Sequence, residues 1–469
     1  MEKRVLFGRR IIYSDETVVT KGNIVSIIDK AMIPHRTNAD ECEYLYNYYK
    51  GKQPVLERVN AIRPELTARV IENRANEIVS FKVGYLMGEP IQYISRSDDE
   101  AVAEAINTLN EYTYAEDKDA EDRELSEWSH ICGTSYRMVL PDAETEADDS
   151  PFELHTLDPR STFVVYARSL GHRPLLGVTY VTDDNGVVTY DCYTDRMYFK
   201  VVGNKVVMET PHILGSIPII EYPANRARLG AFEIVLPLLD AINDVSSGRI
   251  EAIDEFVEAF LMLKGVDMTA EEFDEFKREG AIKLPPDGDA KYIVNELNQT
   301  QTQTLIDHMY QTILTICGMP NRNGGSSTSD TGAASMLRDG WVGAEGRAKD
   351  SELVFKKSER EFLKIVLKIV NSFKGVNLKL SDIEIRFTRR NYEHIESKSN
   401  VLVSMLSNDK IHPRLAFEYS GMFVDPELAY LESMEYAKQR EEEVLQELED
   451  FRKEEIKQAE TPAKTGETE

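Results

Sequence analysis

Residues 318–335 read GMPNRNGGSSTSDTGAAS and interrupt a helical pattern deep inside the chain. Ten successive residues of this stretch carry no apolar side chain. Gly318 and Pro320 end the preceding helix, because glycine accepts the left-handed conformation of a helix end and proline cannot continue a helix. Asp330 or Thr331 can cap the helix that follows. A loop of this length between two helices is usually functional or disordered rather than incidental.

Composition limits the classes of protein that the chain can belong to. Its 469 residues are 42% hydrophobic and 29% charged, which suffices for a large core and for more than one domain. The net charge of −27 argues against a broad basic surface that binds nucleic acid. No apolar window approaches the length of a membrane span, so we expect a soluble protein that contacts no membrane. The cysteines are far apart and form no CxxC pair, which indicates reduced thiols: Cys42, Cys132, Cys192 and Cys317.

Periodicity predicts an α+β region over the first half of the chain. Residues 1–38 show little periodicity, whereas helical spacing is expected at 39–50, 65–87 and 99–133. From there to Pro223 short alternating runs predict an antiparallel sheet. Glycine and asparagine between these runs accept positive φ and predict hairpin turns, at residues 184–186 and 203–204.

A long helix is predicted from residue 229 to 264, with an apolar stripe on one face and acids on another. The acidic stripe is either the solvated face of an amphipathic helix or a functional surface; its members are Asp240, Asp244, Glu251, Asp254 and Glu258. Residues 265–296 form a compact insertion with a short acidic helix and two strand-like runs, AIKLP and AKYIVNEL. A helix over 301–317 then returns and is expected to pack antiparallel to the first.

After the glycine-rich stretch a helix is predicted over 335–373, followed by a strand at 383–388. Further helices are expected at 397–406 and 412–419, and another from Pro426 onward. The last thirty residues contain eleven acids and five bases, so the chain should end in a solvated tail.

The motifs that usually signal catalysis are missing. The glycine-rich stretch lacks the Lys-Ser/Thr pair with which a P-loop reaches phosphate and magnesium, and there is no GxSxG elbow. His130 and Cys132 lie two residues apart without a partner cluster, which does not suit a metal site. The acids at 183–184 fit a hairpin turn better than a metal loop. We therefore expect no catalytic residue, no metal and no cofactor.

Two segments resemble a known family. Residues 46–60 read YNYYKGKQPVLERVN, and residues 73–93 read NRANEIVSFKVGYLMGEPIQY. They resemble the N-terminal signature of portal proteins of long-tailed bacteriophages, in which a YYxG element precedes an asparagine-initiated helix that ends in a GYxxGxP turn. Residues 217–242 resemble the start of that family's first stem helix, and residues 383–432 resemble its crown region. The segments follow the family's order over nearly the whole chain.

The resemblance implies a portal fold with an antiparallel-sheet wing, long stem helices, a small clip insertion and a helical crown. It divides the chain into an N-terminal arm (1–38), the α+β wing (39–228), a stem helix (229–264), the clip (265–297), a second stem helix (298–320), a tunnel loop (321–334), a long wing helix (335–380), the crown (381–437) and an acidic tail (438–469).

The resemblance also implies a function without catalysis. Portal proteins form a ring, usually a dodecamer, at one capsid vertex, through which double-stranded DNA is packaged and ejected. The implied partners are the terminase large subunit, head–tail connector or adaptor proteins, and the major capsid and scaffolding proteins. The protein would be made in the cytoplasm of a bacterial host and reside in the virion.

Candidate site residues follow from these assignments. The acidic stripe of the first stem helix would face the DNA channel. The tunnel loop would narrow that channel through Asn321, Arg322, Asn323, Gly324, Gly325, Ser326, Ser327, Thr328 and Ser329. The clip would bind partner proteins through Glu271, Glu272, Glu275, Lys277, Asp287 and Asp289.

Two other classes of function are compatible with the residues. One is a different virion structural or connector protein. The other is an enzyme that acts on nucleic acid, such as a nuclease or a motor, which the missing P-loop and the absence of an isolated acid cluster disfavour.

Overall fold

A computed structural model describes residues 1–61, 63–97, 99–142, 150–257, 260–264, 269, 271, 278, 289–293, 299–321, 340–374, 377–389, 395–423 and 426–459. The described residues group into two compact units. The larger comprises the described residues up to 321 together with 340–389, and the smaller comprises those from 395 onward. The expected mixture of helices and sheets is confirmed.

The first helix is much longer than the sequence pattern suggests. Helix α1 (Ile24–Tyr49) continues through Pro34, whereas the sequence shows little periodicity up to residue 38 and predicted a helix only from residue 39. A proline inside a helix removes one backbone hydrogen bond and costs roughly 3 kcal/mol. Burial of the apolar side of α1 against a sheet offsets this cost, through Ile24, Ile27, Ile28, Ala31 and Met32.

That sheet has six strands in the order β1-β5-β6-β7-β8-β9. Its strands are β1 (Ile12–Ser14), β5 (Thr162–Ala167), β6 (Pro174–Thr182), β7 (Val188–Tyr193), β8 (Met197–Val202) and β9 (Lys205–Pro211). All neighbours pair antiparallel except β1 and β5, which are parallel. The predicted turns are confirmed. The Asp183 carboxylate accepts hydrogen bonds from two backbone N–H groups of its own turn, and Gly186 and Gly203 have positive φ.

Two predicted helices differ in their bounds. Helix α2 covers Arg74–Leu86 rather than 65–87. The predicted helix 99–133 is two helices, α3 (Glu100–Ala115) and α4 (Lys118–Cys132), with Asp117 at a φ of 50° between them. Both have an amphipathic pattern, so their separation was not visible in the spacing of apolar residues.

A smaller sheet and a long helix enclose the second core of this unit. The sheet has the order β10-β3-β4, from β3 (Thr134–Pro141), β4 (Phe152–Leu157) and β10 (Ile219–Pro223). Helix α7 (Trp341–Lys374) packs on it through a buried apolar run that includes Phe362, Leu363, Val366 and Val370. In the described residues α7 begins at 341, and the predicted residues 335–339 lie outside them.

Between α4, β3 and α7 lies a fully buried network of charges. Lys118 Nζ is 2.6 Å from Asp122 Oδ2 and 2.8 Å from Glu359 Oε1, and Arg137 Nη2 is 2.5 Å from Asp122 Oδ1. Hydroxyl groups of Tyr93 and Tyr222 donate to the two oxygens of Glu359, at 2.6 and 2.7 Å. Burial opposes ionisation of Glu359, but Lys118 and Arg137 outweigh it and hold its pKa below the ordinary value.

Helix α5 is shorter than predicted and is followed by a strand. It covers Leu236–Val257, after a helical turn at Glu233–Val235. Strand β11 (Phe260–Lys264) then pairs antiparallel with β12 (Asp289–Ile293), and helix α6 covers Gln299–Cys317. The prediction of helix up to residue 264 is therefore wrong. A short apolar run is compatible with either a helix or a strand. Here residues 260–264 form a strand because they pair with β12.

The boundary expected at residue 381 also differs. Strand β13 (Ile383–Arg386) pairs antiparallel with β2 (Gln92–Ser95), so residues 381–389 belong to the larger unit and not to the later helices. The smaller unit contains α8 (Ile395–Leu406), α9 (Pro413–Ser420) and α10 (Pro426–Ala459). Phe417 of α9 packs against Phe423 and Tyr430, with ring centroids 5.1 and 5.9 Å away. Residues 460–469 of the expected tail lie outside the described residues.

The buried network predicts a strong dependence of stability on Glu359. Glu359→Gln should destabilise the larger unit by about 3 kcal/mol, because Lys118 and Arg137 would keep buried positive charges with too few partners. Thermal unfolding followed by circular dichroism should show a transition several degrees lower.

The matched control is Glu361→Gln on the same helix. Glu361 is half-exposed and pairs with the half-exposed Lys364, so its change should stay within about 0.5 kcal/mol. Equal shifts for the two variants would contradict the structural role of the network.

Candidate functional site

The two predicted stem helices pack against each other in opposite directions. Near the start of α5, the carbonyl oxygen of Ala231 is 3.7 Å from Cys317 Sγ at the end of α6. Near the end of α5, Arg249 Nη1 donates to Gln303 Oε1 at 2.6 Å, close to the start of α6. The apolar sides meet in one buried cluster that includes Leu239, Ile242, Ile306, Ile313 and Leu314. The predicted antiparallel pair is confirmed.

The polar face of α5 holds an irregular segment of the chain. We name this segment the strap; it consists of residues 53–61 and 63–73. The residues that hold it are spaced four apart, which places them on one helical face: Asn243, Ser247 and Glu251. Asp240 lies on the same face one turn earlier and bonds α1 instead. Asn243 Oδ1 accepts from the backbone N–H of Glu72 at 3.0 Å, and Ser247 Oγ accepts from that of Val70 at 2.9 Å.

Glu251 makes the densest contacts with the strap. Its Oε1 accepts from the backbone N–H of Ala68 at 2.9 Å and from the Arg58 guanidinium. Its Oε2 accepts from Asn60 Nδ2 at 3.1 Å. Burial opposes ionisation of Glu251, but the bonds from Arg58 and Ala68 outweigh it, so its pKa lies below the ordinary value.

Asp240 is buried as well, at the other end of this face. Its Oδ1 accepts from the Tyr48 hydroxyl at 2.9 Å. Burial raises the pKa of Asp240, and the hydrogen bond from Tyr48 opposes this only in part. Asp244 is less enclosed, and its Oδ2 lies 2.5 Å from Lys3 Nζ.

These contacts correct the idea of one open acidic stripe. Asp240 and Glu251 do not present free carboxylates to solvent, since both are bonded within the subunit. Among the described members of the stripe, Asp254 is exposed and Asp244 is partly exposed. Glu258 lies outside the described residues. The spacing of acids along α5 could not distinguish buried carboxylates from exposed ones, because the strap that covers Glu251 comes from a segment about two hundred positions earlier.

Sequence reasoning overlooked the exposed side of α6. This side is mostly amides and hydroxyls, with one acid, one histidine and one leucine, and has no lysine or arginine. Its exposed residues include Gln303, Thr304, Leu305, Asp307, His308, Gln311 and Thr315. The repeated QTQTQT at residues 299–304 was the available signal, because uncharged polar residues on an amphipathic helix mark its solvated face.

The predicted tunnel loop and clip are described only in part. Asn321 follows the end of α6, where Gly318 has a φ of +65° and so ends the helix as expected. Of the clip residues, Glu271 and Asp289 are described and exposed. The remaining predicted residues lie outside the described ones: Arg322, Asn323, Gly324, Gly325, Ser326, Ser327, Thr328, Ser329, Glu272, Glu275, Lys277 and Asp287.

The described residues show neither a metal site nor a membrane-spanning helix. They contain no group of three or more His, Cys, Asp or Glu side chains that could hold a metal ion. None of their helices is both long and apolar enough to cross a membrane. The four cysteines are buried free thiols.

Comparison with protein families gives a decisive match. The family described as "Phage portal protein, SPP1 Gp6-like" matches residues 29–460. The chain belongs to this family of phage portal proteins. The match spans α1 to the end of α10 and therefore includes both units. Portal proteins of this family are structural, non-enzymatic components of the virion, in agreement with the expected class.

Solved structures with similar chains come from gene transfer agent (GTA) particles. A chain in the neck of an empty GTA particle computed with C6 symmetry has 11% identity and a TM-score of 0.46, covering 74% of this chain and 90% of that one. A chain in the virion of the native GTA particle has 11% identity and a TM-score of 0.44, covering 82% and 94%. A chain in the native neck computed with C12 symmetry has 12% identity and a TM-score of 0.43, covering 74% and 89%.

These similarities are weak, and the family assignment rests on the family match instead. A search of curated proteins found no significant match.

The contacts of Glu251 predict that it anchors the strap. Glu251→Gln should lower the free energy of unfolding by about 1–3 kcal/mol, because the charge-assisted bond from Arg58 is lost. The strap should also become more sensitive to limited proteolysis. Asp254→Asn changes an exposed residue one turn away. It should leave the free energy of unfolding and the proteolytic sensitivity of the strap unchanged.

The loss of stability caused by Glu251→Gln should depend on pH in a defined direction. Because the folded-state pKa of Glu251 is depressed, its stabilisation is present above its unfolded pKa of about 4.3 and is lost as the pH falls through the folded value. The gap between wild type and Glu251→Gln should therefore close in acid. A gap that persists unchanged in acid would contradict ionised Glu251 as the anchor.

Proposed function

We propose that the chain forms the ring through which viral double-stranded DNA is packaged and later ejected. The observation that carries the proposal is the match to the phage portal family over residues 29–460, together with an antiparallel helix pair joined through paired strands. Helices α5 and α6 serve as the stem, and residues 265–297 serve as the clip. The ring is most simply a dodecamer.

The stem suits a conduit for a polyanion because its exposed side on α6 has no lysine or arginine that would bind phosphates. Each phosphate that a lysine or arginine neutralises adds affinity through counterion release, and this affinity would have to be overcome again as DNA moves. The exposed side of α6 carries amides, hydroxyls, Leu305, His308 and Asp307 but no lysine or arginine, and the end of α5 exposes Asp254. We assign these surfaces to the channel wall.

The buried acids of α5 have a different task in this proposal. Asp240 and Glu251 fix α5 to α1 and to the strap, so that the stem keeps its place while DNA slides past. A channel wall that must not bind DNA has to be held rigid by contacts with the rest of the subunit. The polar face of α5 supplies these contacts.

The tunnel loop, residues 321–334, narrows the channel by contact rather than by charge. Its only basic residue is Arg322, and its glycine and hydroxyl residues offer weak polar contacts. The clip docks the terminase large subunit during packaging and head–tail connector proteins afterwards, with exposed Glu271 and Asp289 available for these partners. The major capsid and scaffolding proteins surround the ring at the capsid vertex, after synthesis in the bacterial cytoplasm.

Reversing the charge of the exposed acids on α5 and α6 tests whether these surfaces line the channel. The double variant Asp254→Lys and Asp307→Lys should assemble rings with a central hole in negative-stain images but should slow DNA packaging, because new cations would retain phosphates. The slowing should diminish at higher salt. Packaging is measured as protected DNA per particle.

Asp184→Lys is the matched control, since it introduces an equal charge change per residue at the exposed turn between β6 and β7. It should package normally. Unchanged packaging by the double variant, or equal slowing by the control, would refute the assigned wall, and a purified protein without a central hole would refute the ring.

Deletion of residues 324–329 tests the tunnel loop. Rings should still assemble, because the deletion removes none of the described residues of α6 and α7, while DNA retention in filled particles should fall. Particle yield and DNA content give the readout. Wild-type DNA content would show that the loop is only a connector.

A further inference from the structure

A cavity of about 550 Å³ lies beside the end of α6, apart from the assigned channel wall. It is bordered by α2, α4, the segment before α5, the end of α6 and the start of α7. Its charged and titratable lining comprises Lys82, His130, Arg226, Cys317, Arg347 and Asp350. Three of these side chains are permanent or near-permanent cations, in a chain that has 82 acids and 55 lysines and arginines.

Within the part of the chain that the structure describes, the cations of this cavity lack the carboxylate partners that basic residues have elsewhere in the larger unit. Arg389, for example, pairs with both Glu345 and Glu352. Within the described part of the chain, Lys82, Arg226 and Arg347 form no ion pair. The Lys82 amine donates a hydrogen bond to the carbonyl oxygen of Cys317, at 2.8 Å.

The position of Arg347 is set by the turn that ends α6. Gly318 has a φ of +65°, and a Cβ added there would lie 2.3 Å from Cδ of Arg347. The glycine therefore leaves the space that the arginine stem occupies. This contact holds the guanidinium at the rim of the same cavity that Lys82 enters from α2.

The electrostatics of the cavity favour an added anion. Burial, and to a smaller degree the charge of Arg347, lower the pKa of Lys82, while the Cys317 sulfur opposes this. His130 adds no charge, because burial lowers its pKa to about 4 and its Nδ1 donates to the Ser126 carbonyl oxygen at 2.7 Å. Asp350 is the one acid among the described lining residues, so the described lining has a net positive charge.

We propose that this cavity binds a phosphate group between Lys82 and Arg347, with Arg226 at its rim. A dianionic phosphate matches two or more cations, whereas a single carboxylate would leave part of the charge unpaired. The phosphate group comes either from a free phosphate ester or from a nucleic-acid backbone. This site does not depend on DNA translocation, since it is defined by a cavity and its cations alone.

Isothermal titration of the purified full chain at low salt tests the site. The probes are inorganic phosphate, thymidine monophosphate and a short DNA duplex. Wild-type protein should bind inorganic phosphate or the monophosphate, and Arg347→Gln should weaken that binding about tenfold, the usual effect of losing one charge-assisted bond. Arg347 is exposed, so the variant should fold, which the unfolding temperature verifies.

Lys349→Gln is the matched control, because it removes the same charge from the same helix at an exposed site that pairs with Glu345 and does not line the cavity. It should bind phosphate as wild type does. Binding of the monophosphate without the duplex identifies a free phosphate ester as the source, and duplex binding sensitive to Arg347 identifies a backbone. No binding at millimolar phosphate, or equal losses in the two variants, would overturn the proposal.

Discussion

The polar face of α5 is the constraint on which the stem region depends. Helix α5 is packed on both sides, against α6 through its apolar residues and against α1 and the strap through its polar ones. Buried polar groups are costly unless they are hydrogen-bonded, so every polar residue on this face needs a partner. Glu251 meets this requirement for three donors of the strap at once. The strap has little regular structure and takes its position from these bonds.

The need for partners of buried polar groups also applies to the core between α4, β3 and α7. Lys118, Asp122, Arg137 and Glu359 are buried together and compensate one another, with tyrosine hydroxyls completing the set. Such a network tolerates few alternative arrangements, because loss of one member leaves an unpaired buried charge. It joins α4, β3 and α7, which are distant in sequence, and so helps to fix the frame from which the stem helices extend.

Much of the fold could be predicted from the sequence, because local patterns determine it. Alternating runs with Asp-Asn-Gly or Gly-Asn between them predicted the hairpins of the six-stranded sheet, and apolar spacing predicted α5 and α6. Interactions between distant segments were beyond this reasoning. Burial against a sheet carries α1 through Pro34, and pairing with residues 289–293 turns residues 260–264 into a strand. The roles of Asp240 and Glu251 were missed for the same reason, since a carboxylate that accepts from Ala68 has the same spacing as one that faces water.

What remains exposed on the stem is mostly uncharged. Of the acids predicted to line a channel, Asp240 and Glu251 are bonded within the subunit, while α6 offers amides and hydroxyls to solvent. A portal whose wall neither attracts nor strongly repels the phosphate backbone would let DNA move in both directions with little friction. A cryo-EM reconstruction of the purified ring tests this arrangement most directly. The exposed side of α6 and Asp254 should face the central channel, with Glu251 enclosed by the strap. A ring in which that side of α6 faces outward, or in which Glu251 lines the channel, would contradict it.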